Sequence, residues 1–300
     1  MNLARLEEFV AIVEAGSIRA AARKLGVSQP ALTKGVRQLE REFGVKLLQR
    51  TPTGVLPNQF GRSLVARARS IRGEVRKARE EIEQIGGSRG GSVAFGIGAV
   101  SAPIIVPAAM ERFRADHPEV RISIMEGLPH MLVPLVRDET LDFAIGGRLS
   151  GQLDPALRFT PLVHSPRAVV ARRGHPLAGA SSVDELLDAE WLSLPALSAM
   201  AVRPQPGWMG RLKQVVDCDS YVVAAALLAG SDMIGLISRR LLDERFVGSS
   251  LVEIHVREPL PLFSVGLYQR ADAPLTPVAE RASAALGQAA RETMGAAKDA

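Results

Sequence analysis

The sequence predicts a multi-domain α+β protein: a small helical head ending in a two-stranded wing, one long helix, and a two-lobed α/β body. Three observations predict it. Residues 3–43 repeat apolar side chains at helical spacing, broken by Ser starts and Gly stops. Residues 58–85 form one long polar-rich helical stretch, closed by the Gly/Ser run 86–92. Beyond it, short apolar strand-like runs alternate with helical ones. At 300 residues the chain suits two or three folding units.

Apolar residues make up 47% of the chain and charged ones 23%, enough for packed cores. There is no run of about 18 apolar residues that would span a membrane, and Met1–Glu8 lacks the basic start and apolar run of a secretory signal. A cytoplasmic protein is expected. Cys218 is the one cysteine, which excludes an intrachain disulfide and a multi-thiolate zinc site. Its neighbours Asp217 and Asp219 oppose thiolate formation, so it reads as a small core residue. The net charge of +5 is unevenly spread. Residues 1–85 hold 16 Lys and Arg against 9 Asp and Glu, while the remainder holds 21 against 23. A basic head on a near-neutral body points to a polyanion partner.

In the head, Leu3, Leu6, Phe9, Val10 and Val13 share one helical face. Ser17 starts a short helix over 18–25, whose Ala20-Ala21-Ala22 allows another helix close by, and Gly26-Val27 ends it. Ser28 caps a third helix that carries Pro30 in its first turn. There Leu32, Val36, Leu39 and Phe43 are expected to face inward. Gln29, Thr33, Lys34 and Arg37 are left outside, mostly toward the N-terminal half. Two helices joined by a tight Gly-containing turn, the second with amide, hydroxyl and cationic groups near its start, make a helix-turn-helix with a recognition helix for the major groove. Val45–Leu48 and Val55-Leu56 flank Arg50-Thr51-Pro52-Thr53-Gly54 as a wing, turning at Thr53-Gly54, with Arg50 placed to cross a phosphate backbone.

The run Phe9…Gly16-Ser17…Ala20-Ala21…Leu25…Val27-Ser28-Gln29-Pro30-Ala31-Leu32-Thr33…Leu39-Glu40…Gly44-Val45…Leu47-Leu48…Arg50-Thr51…Gly61 resembles the winged helix-turn-helix of the LysR-type transcriptional regulators. The resemblance covers about the first 62 residues, and Ser-Gln-Pro-Ala-Leu followed by Leu-Glu is its most specific part. It implies DNA contacts by Ser28, Gln29, Pro30, Thr33, Lys34 and Arg37, with a wing contact at Arg50. Two positions depart from the family pattern. Thr53 stands where a basic wing residue is common, which implies weaker nonspecific DNA affinity. Pro57-Asn58 replaces the usual Leu-Thr, with Asn58 still able to cap the next helix.

In the long helix, Phe60, Leu64, Ala68, Ile71, Val75, Ala78, Ile82 and Ile85 recur at alternating steps of three and four. Such a narrow seam pairs with another helix and predicts a dimer that holds two recognition helices about one DNA turn apart. The LysR-type resemblance implies the same, since that family dimerises here. The expected divisions are therefore a winged helix-turn-helix over 1–58, a linker helix over 59–85, a hinge over 86–92, and a body over 93–300.

The body reads as parallel α/β units over 93–145 and a second group over 157–237, then strands near 252–255 and 263–268 and a last helix from about Pro274. Late elements that rejoin the first group give one lobe of about 93–162 with 268–300 and another of about 163–267. This pattern, with His175-Pro176-Leu177-Ala178 and Gly230…Met233-Ile234-Gly235-Leu236-Ile237, resembles the periplasmic-binding-protein-like effector domain of the same family. Ligands of open α/β sheets bind beyond strand carboxyl ends and at helix N-termini. That rule selects Ser101, Gly127, Leu128, Pro129, Gly146, Gly147, Arg148 and, in the second lobe, Ser198 among Ala196-Leu197-Ser198. It favours an anionic small-molecule effector.

No catalytic set is visible. His117, His130, His164, His175 and His255 are scattered, without His-Glu-x-x-His spacing, and no Gly-x-Ser-x-Gly elbow or Walker motif occurs. A non-enzyme with no cofactor and no metal is expected. A solute-binding protein of a transport system would fit the body alone; the basic head and pairing helix argue against it. The expected partners are a dyad-symmetric double-stranded operator, a small-molecule effector, a second copy of the chain and, through the resemblance, a tetramer and RNA polymerase.

Overall fold

The computed structural model describes residues 2–52, 54–87, 90–194 and 206–295. Two compact units emerge, one built on residues 1–86 and one on most of the rest.

In the first unit, local capping chemistry sets each boundary. Helix α1 (Leu3–Ala15) begins where Asn2 Oδ1 accepts the Ala4 amide and ends on left-handed Gly16. Helix α2 (Ile18–Leu25) starts on Ser17 and ends on Gly26, and α3 (Gln29–Phe43) starts on Ser28, with Pro30 in its first turn, and ends on Gly44. Leu6, Phe9, Val10, Ile12, Ala21, Leu32 and Leu39 close around one core. Phe43 differs from expectation: it is 45% exposed. It continues the inward stripe of α3 one turn beyond the last buried position, Leu39, so the core has ended before it arrives.

Strands β1 (Leu48–Thr51) and β2 (Gly54–Pro57) pair antiparallel, with Arg50 opposite Val55 and Thr51 opposite Gly54. The wing folds back on the α1–α2 corner, where the Val55 amide donates to the Gly16 carbonyl at 2.9 Å. A side chain at Gly54 would place Cβ 2.2 Å from that carbonyl oxygen, and its φ is +149°. Only glycine fits. Asn58 then caps α4 (Gln59–Ile85), its Oδ1 accepting from Gly61 N at 3.0 Å and its Nδ2 donating to Lys46 O at 2.7 Å. The predicted seam divides: Leu64 and Ala68 pack with Val65 into the head core, whereas Phe60, Ile71, Ile82 and Ile85 are exposed.

The second unit contains two five-stranded sheets. The first has the order β4-β3-β5-β12-β6 and comprises β3 (Gly91–Ile97), β4 (Val120–Glu126), β5 (Phe143–Gly147), β6 (Leu157–Ser165) and β12 (Phe263–Arg270). Helices α5 (Ala102–Asp116) and α6 (Pro129–Arg137) connect its parallel members β3, β4 and β5. The second sheet has the order β11-β7-β10-β8-β9, from β7 (Arg167–Arg172), β8 (Glu190–Ser193), β9 (Lys213–Asp217), β10 (Ile234–Ser238) and β11 (Leu251–Ile254). Helix α7 (Tyr221–Gly230) joins β9 to β10, and the single turn α8 (Arg245–Gly248) precedes β11. The last helix, α9 (Pro277–Met294), packs with α5 on the first sheet.

The parallel expectation holds for β3, β4 and β5 and for β8, β9 and β10, whereas β7, β11 and β12 run antiparallel to their neighbours. The lobe boundary also shifts. The expected second lobe of about 163–267 loses residues 263–267, because β12 is one continuous strand paired with β5 and β6 from Phe263 onward, so the return crossing lies at 255–262. At Gly266 a Cβ would stand 2.4 Å from the Phe159 ring and 2.5 Å from Thr160 O, so a glycine permits the β12–β6 bulge. One core cluster spans both sheets, from Phe95, Ile105 and Phe143 to Val170, Leu228 and Ile237. His175 of the His-Pro-Leu-Ala stretch is structural: Nδ1 accepts the Leu177 amide and Nε2 lies 3.0 Å from Asp232 O. Cys218 is half-buried beside the shared core, its thiol donating to Ser220 O.

Candidate nucleic-acid interface and ligand cleft

The N-terminal half of α3 stands clear of the head because Leu32, Val36 and Leu39 take its other face into the core. Gln29, Pro30, Thr33, Lys34 and Arg37 line one open groove of about 1120 Å³, together with Glu40, Arg41, Gly44, Val45 and Lys46. Five of the seven predicted DNA-contact residues therefore come together. Ser28 instead does local work, its Oγ accepting the Ala31 amide at 3.3 Å. Arg50 is exposed on β1, outside the groove lining. Thr33 Oγ donates to Gln29 O at 2.9 Å, which fixes its rotamer and leaves its lone pairs outward.

Two cations of this groove were missed, Arg41 and Lys46. Lys46 arrives from the α3–β1 corner, which Glu40 organises: one carboxylate oxygen holds Lys46 Nζ at 2.9 Å and the other accepts Leu47 N at 3.0 Å. The groove thus presents four cations and one carboxylate, and that carboxylate is already committed. A concave cationic surface beside a helix N-terminus is suited to the sugar–phosphate edge of a duplex.

In the second unit, a narrow cleft between the two sheets is lined by Gly98, Ala99, Val100 and Ser101 before α5, Gly127, Leu128 and Pro129 at the start of α6, Gly147 at the end of β5 and Phe263 at the start of β12, with Leu194, Asp219 and Tyr221 from the side of the second sheet. Backbone hydrogen bonds from Gly98 N to Ile145 O and from Gly127 N to Ile97 O hold the first two loops at the sheet ends. Its volume is only about 20 Å³, room for about one water. Ser101 is 2% exposed and its hydroxyl does not cap α5.

Five predicted effector residues, Ser101, Gly127, Leu128, Pro129 and Gly147, line this cleft. Gly146 and Arg148 do not. Arg148 is exposed, its amide donates to Ser264 O at 2.8 Å, and its guanidinium lies 5.9 Å from the Phe159 ring centroid, on the other face of the sheet. Ser198, with Ala196 and Leu197, lies outside the described residues.

In the second lobe Arg167, the first residue of β7, is only 4% exposed. It lines a void of about 30 Å³ with Trp191, Ser193, Leu194, Gln214 and others, and its guanidinium sits 5.5 Å from the Phe263 ring centroid. Burial pushes its pKa down, opposed by Tyr221; burial pushes the Tyr221 phenol well up, opposed by Arg167 and the Ser238 backbone. Among the described residues no cluster of His, Cys, Asp and Glu could hold a metal ion, and no helix is long and apolar enough to cross a membrane.

Comparison with known proteins agrees with both halves. Residues 3–62 match the family described as bacterial regulatory helix-turn-helix protein, lysR family, and residues 86–291 match the LysR substrate binding domain. The chain is 30% identical to the HTH-type transcriptional regulator GbpR of Azospirillum brasilense over 98% of its own length and 87% of that protein's. It is 28% identical to the SDS degradation transcriptional activation protein of a Pseudomonas species, with 93% of each chain covered. In fold it is similar to a full-length OxyR variant from Pseudomonas aeruginosa (TM-score 0.71, 22% identity, 97% and 95% of the two chains). It is also similar to full-length CbnR in complex with its target DNA (TM-score 0.67, 16% identity, 96% and 100%). These relatives are regulators, not enzymes. A winged helix-turn-helix with a cationic recognition groove, and a two-sheet body matched across its length, lead to one assignment: the chain belongs to the LysR family of bacterial transcriptional regulators and carries that family's effector-binding domain.

Proposed function

We propose that the chain acts in the cytoplasm as a homodimer joined along α4, and as a tetramer through its effector domains. The dimer grips a dyad-symmetric operator with Gln29, Pro30, Thr33, Lys34 and Arg37 in the major groove. Ser28 sets the helix start and Arg50 reaches the backbone from the wing. The single observation that carries this is the open groove with four cations and one committed carboxylate. The exposed seam residues Ile82 and Ile85 support pairing along α4. On this reading residues 1–58 read DNA, 59–85 pair, 86–92 flex and 93–300 sense.

The effector site is the cleft bounded by Ser101, Gly127, Leu128, Pro129 and Gly147. The starts of α5, α6 and α7 all face it, which favours an anionic metabolite. A cleft of about 20 Å³ holds no metabolite, so binding opens it. An effector that binds the opened state better shifts the lobes, and through 86–92 the spacing of the heads, DNA bending and contact with RNA polymerase.

The test is duplex binding by the purified protein across a salt series, its own upstream intergenic fragment against a random duplex. Tighter binding to the upstream fragment, weakening steeply with salt, is expected. Equal weak binding to both would remove that fragment as the operator. No binding at any salt would overturn the reading.

A further inference from the structure

We infer that Lys77 of α4 clasps Glu139 in the turn after α6, and that this clasp couples the loop at the start of α6 to the pairing helix. Its regulatory meaning rests on the readings of the cleft as effector site and of α4 as pairing helix.

Residues 137–140 cluster with the first unit, although α6 up to Val136 and the chain from Leu141 lie in the second. Three features hold them there. Gly73 leaves a notch in α4, where a Cβ would stand 2.5 Å from Glu139 Cβ and 3.1 Å from Glu139 O. Lys77, one helical turn further on, brings Nζ to 3.1 Å from Glu139 Oε2 and 3.7 Å from Glu74 Oε1, and both Lys77 and Glu139 are buried. Glu139 is also the one non-glycine among the described residues with a left-handed φ, +57°. An L-residue there is strained and stays only while its surroundings hold it. Burial and Glu74 push the Glu139 carboxyl up, opposed by Lys77, so the ionised pair is finely balanced. Strain and a balanced ion pair together suit a contact that releases.

From the clasp to the cleft the packing is continuous. Just past the turn, the Leu141 amide donates to Leu135 O at 3.0 Å and the Asp142 amide to Ala94 O at 2.7 Å. The side chains of Leu141 and of Leu132 in α6 both crowd Gly96 of β3, each 3.0 Å from where its Cβ would be. Leu132 also stands 3.2 Å from the Cβ position of Gly127, which lines the cleft. Leu132, Val136 and Leu141 share one core cluster. Packing this close leaves no slack to absorb a shift of α6, so a movement at either end of its nine residues reaches the other.

The test is amide hydrogen exchange in the full-length protein, which needs neither effector nor operator. Gly73→Ala fills the notch with a better helix former, and Lys77→Met keeps the apolar stem but removes the charge. Both should speed exchange at Leu141 and Asp142 about 10- to 100-fold, the worth of a charge-assisted hydrogen bond. The Gly127 amide, bonded to Ile97 O, should exchange faster as well, while Gly235 and Leu236 in β10 keep their wild-type rates. In the reverse direction Leu128→Trp, which wedges the cleft from α6, should speed exchange at Leu141, because coupling between two sites is reciprocal.

Wild-type exchange at Leu141 in both Gly73→Ala and Lys77→Met overturns the clasp. Faster exchange at Leu141 with Gly127 unchanged overturns the coupling, and so does an equal acceleration in β10, which is general loosening. Coupled exchange in a protein that binds no duplex at any salt supports the clasp and removes the regulator reading alone.

Discussion

Replacing Glu40 by Gln should make the protein hold DNA more tightly and with a steeper salt dependence. The groove carries Lys34, Arg37, Arg41 and Lys46, and Glu40 holds Lys46 at 2.9 Å with a carboxylate only 11% exposed. In wild type, Lys46 therefore reaches a phosphate only by leaving that partner. On duplex DNA each neutralised phosphate adds about 0.9 to the slope of log K against log salt, so freeing Lys46 in both heads of a dimer steepens it by at most about 1.8. Arg37→Ala should flatten the slope by about the same 1.8, whereas Lys46→Ala should change it much less. Over a doubling of salt a slope change of 1.8 is a factor of about 3.5 in affinity, resolvable by fluorescence anisotropy at four or five salt concentrations. Gln keeps an oxygen for the Leu47 amide, so the α3–β1 corner survives and the lost ion pair costs at most about 1 kcal/mol of stability. An unchanged or flatter slope in Glu40→Gln, together with a Lys46→Ala loss equal to that of Arg37→Ala, would refute the reasoning. Lys46 would then already be serving the DNA in wild type.

Three further outcomes are expected. Gly54→Ala, whose Cβ would meet Gly16 O at 2.2 Å in a φ that L-residues rarely adopt, should displace the wing; duplex affinity should fall while emission from Trp191 and Trp208 stays that of wild type. Ile82→Glu with Ile85→Glu, at positions 71% and 77% exposed, should leave secondary structure intact by circular dichroism yet shift sedimentation toward monomer; an unchanged sedimentation profile would remove the α4 pairing. In an ultraviolet titration of the two tyrosines, Tyr268 should ionise near pH 12, because burial raises it, and Tyr221 should ionise higher still. Folded pKa values above the unfolded 10 mean that this stability is complete below about pH 10 and is lost as pH rises toward 12, so the denaturation midpoint should fall across that window.

The head was legible because its rules are local. Asn2, Ser17, Ser28 and Asn58 each accept an amide two or three residues ahead, and Gly16, Gly26 and Gly44 each end a helix in the left-handed region. Ser17, Ser28 and Asn58 stood out in the sequence as caps, and those contacts lie within a single turn. Asn2 was not singled out there. Lys46 shows where locality ends. It joins the recognition groove from 12 residues beyond Lys34 only because Glu40 reaches across the corner to grip it and the Leu47 amide. A sequence reader sees a solvated lysine two residues past the Gly44 stop.

The cleft divides for a reason of strand geometry. The rule that ligands lie beyond strand carboxyl ends selected the cleft-lining Ser101, Gly127, Leu128, Pro129 and Gly147, since they follow or end the parallel strands β3, β4 and β5. It failed one residue later. Arg148 still continues the ladder through its amide bond to Ser264 O, so the alternation of faces that turns Gly147 toward the cleft turns Arg148 onto Phe159. Arg167 approaches the same region from the other sheet. It opens β7, a strand antiparallel to both its neighbours, and so comes in at an amino end. Chain reversal between the two sheets is what brings an amino-terminal residue of one lobe against carboxyl-terminal loops of the other. That reversal is fixed by the order β11-β7-β10-β8-β9, which no window of the sequence contains.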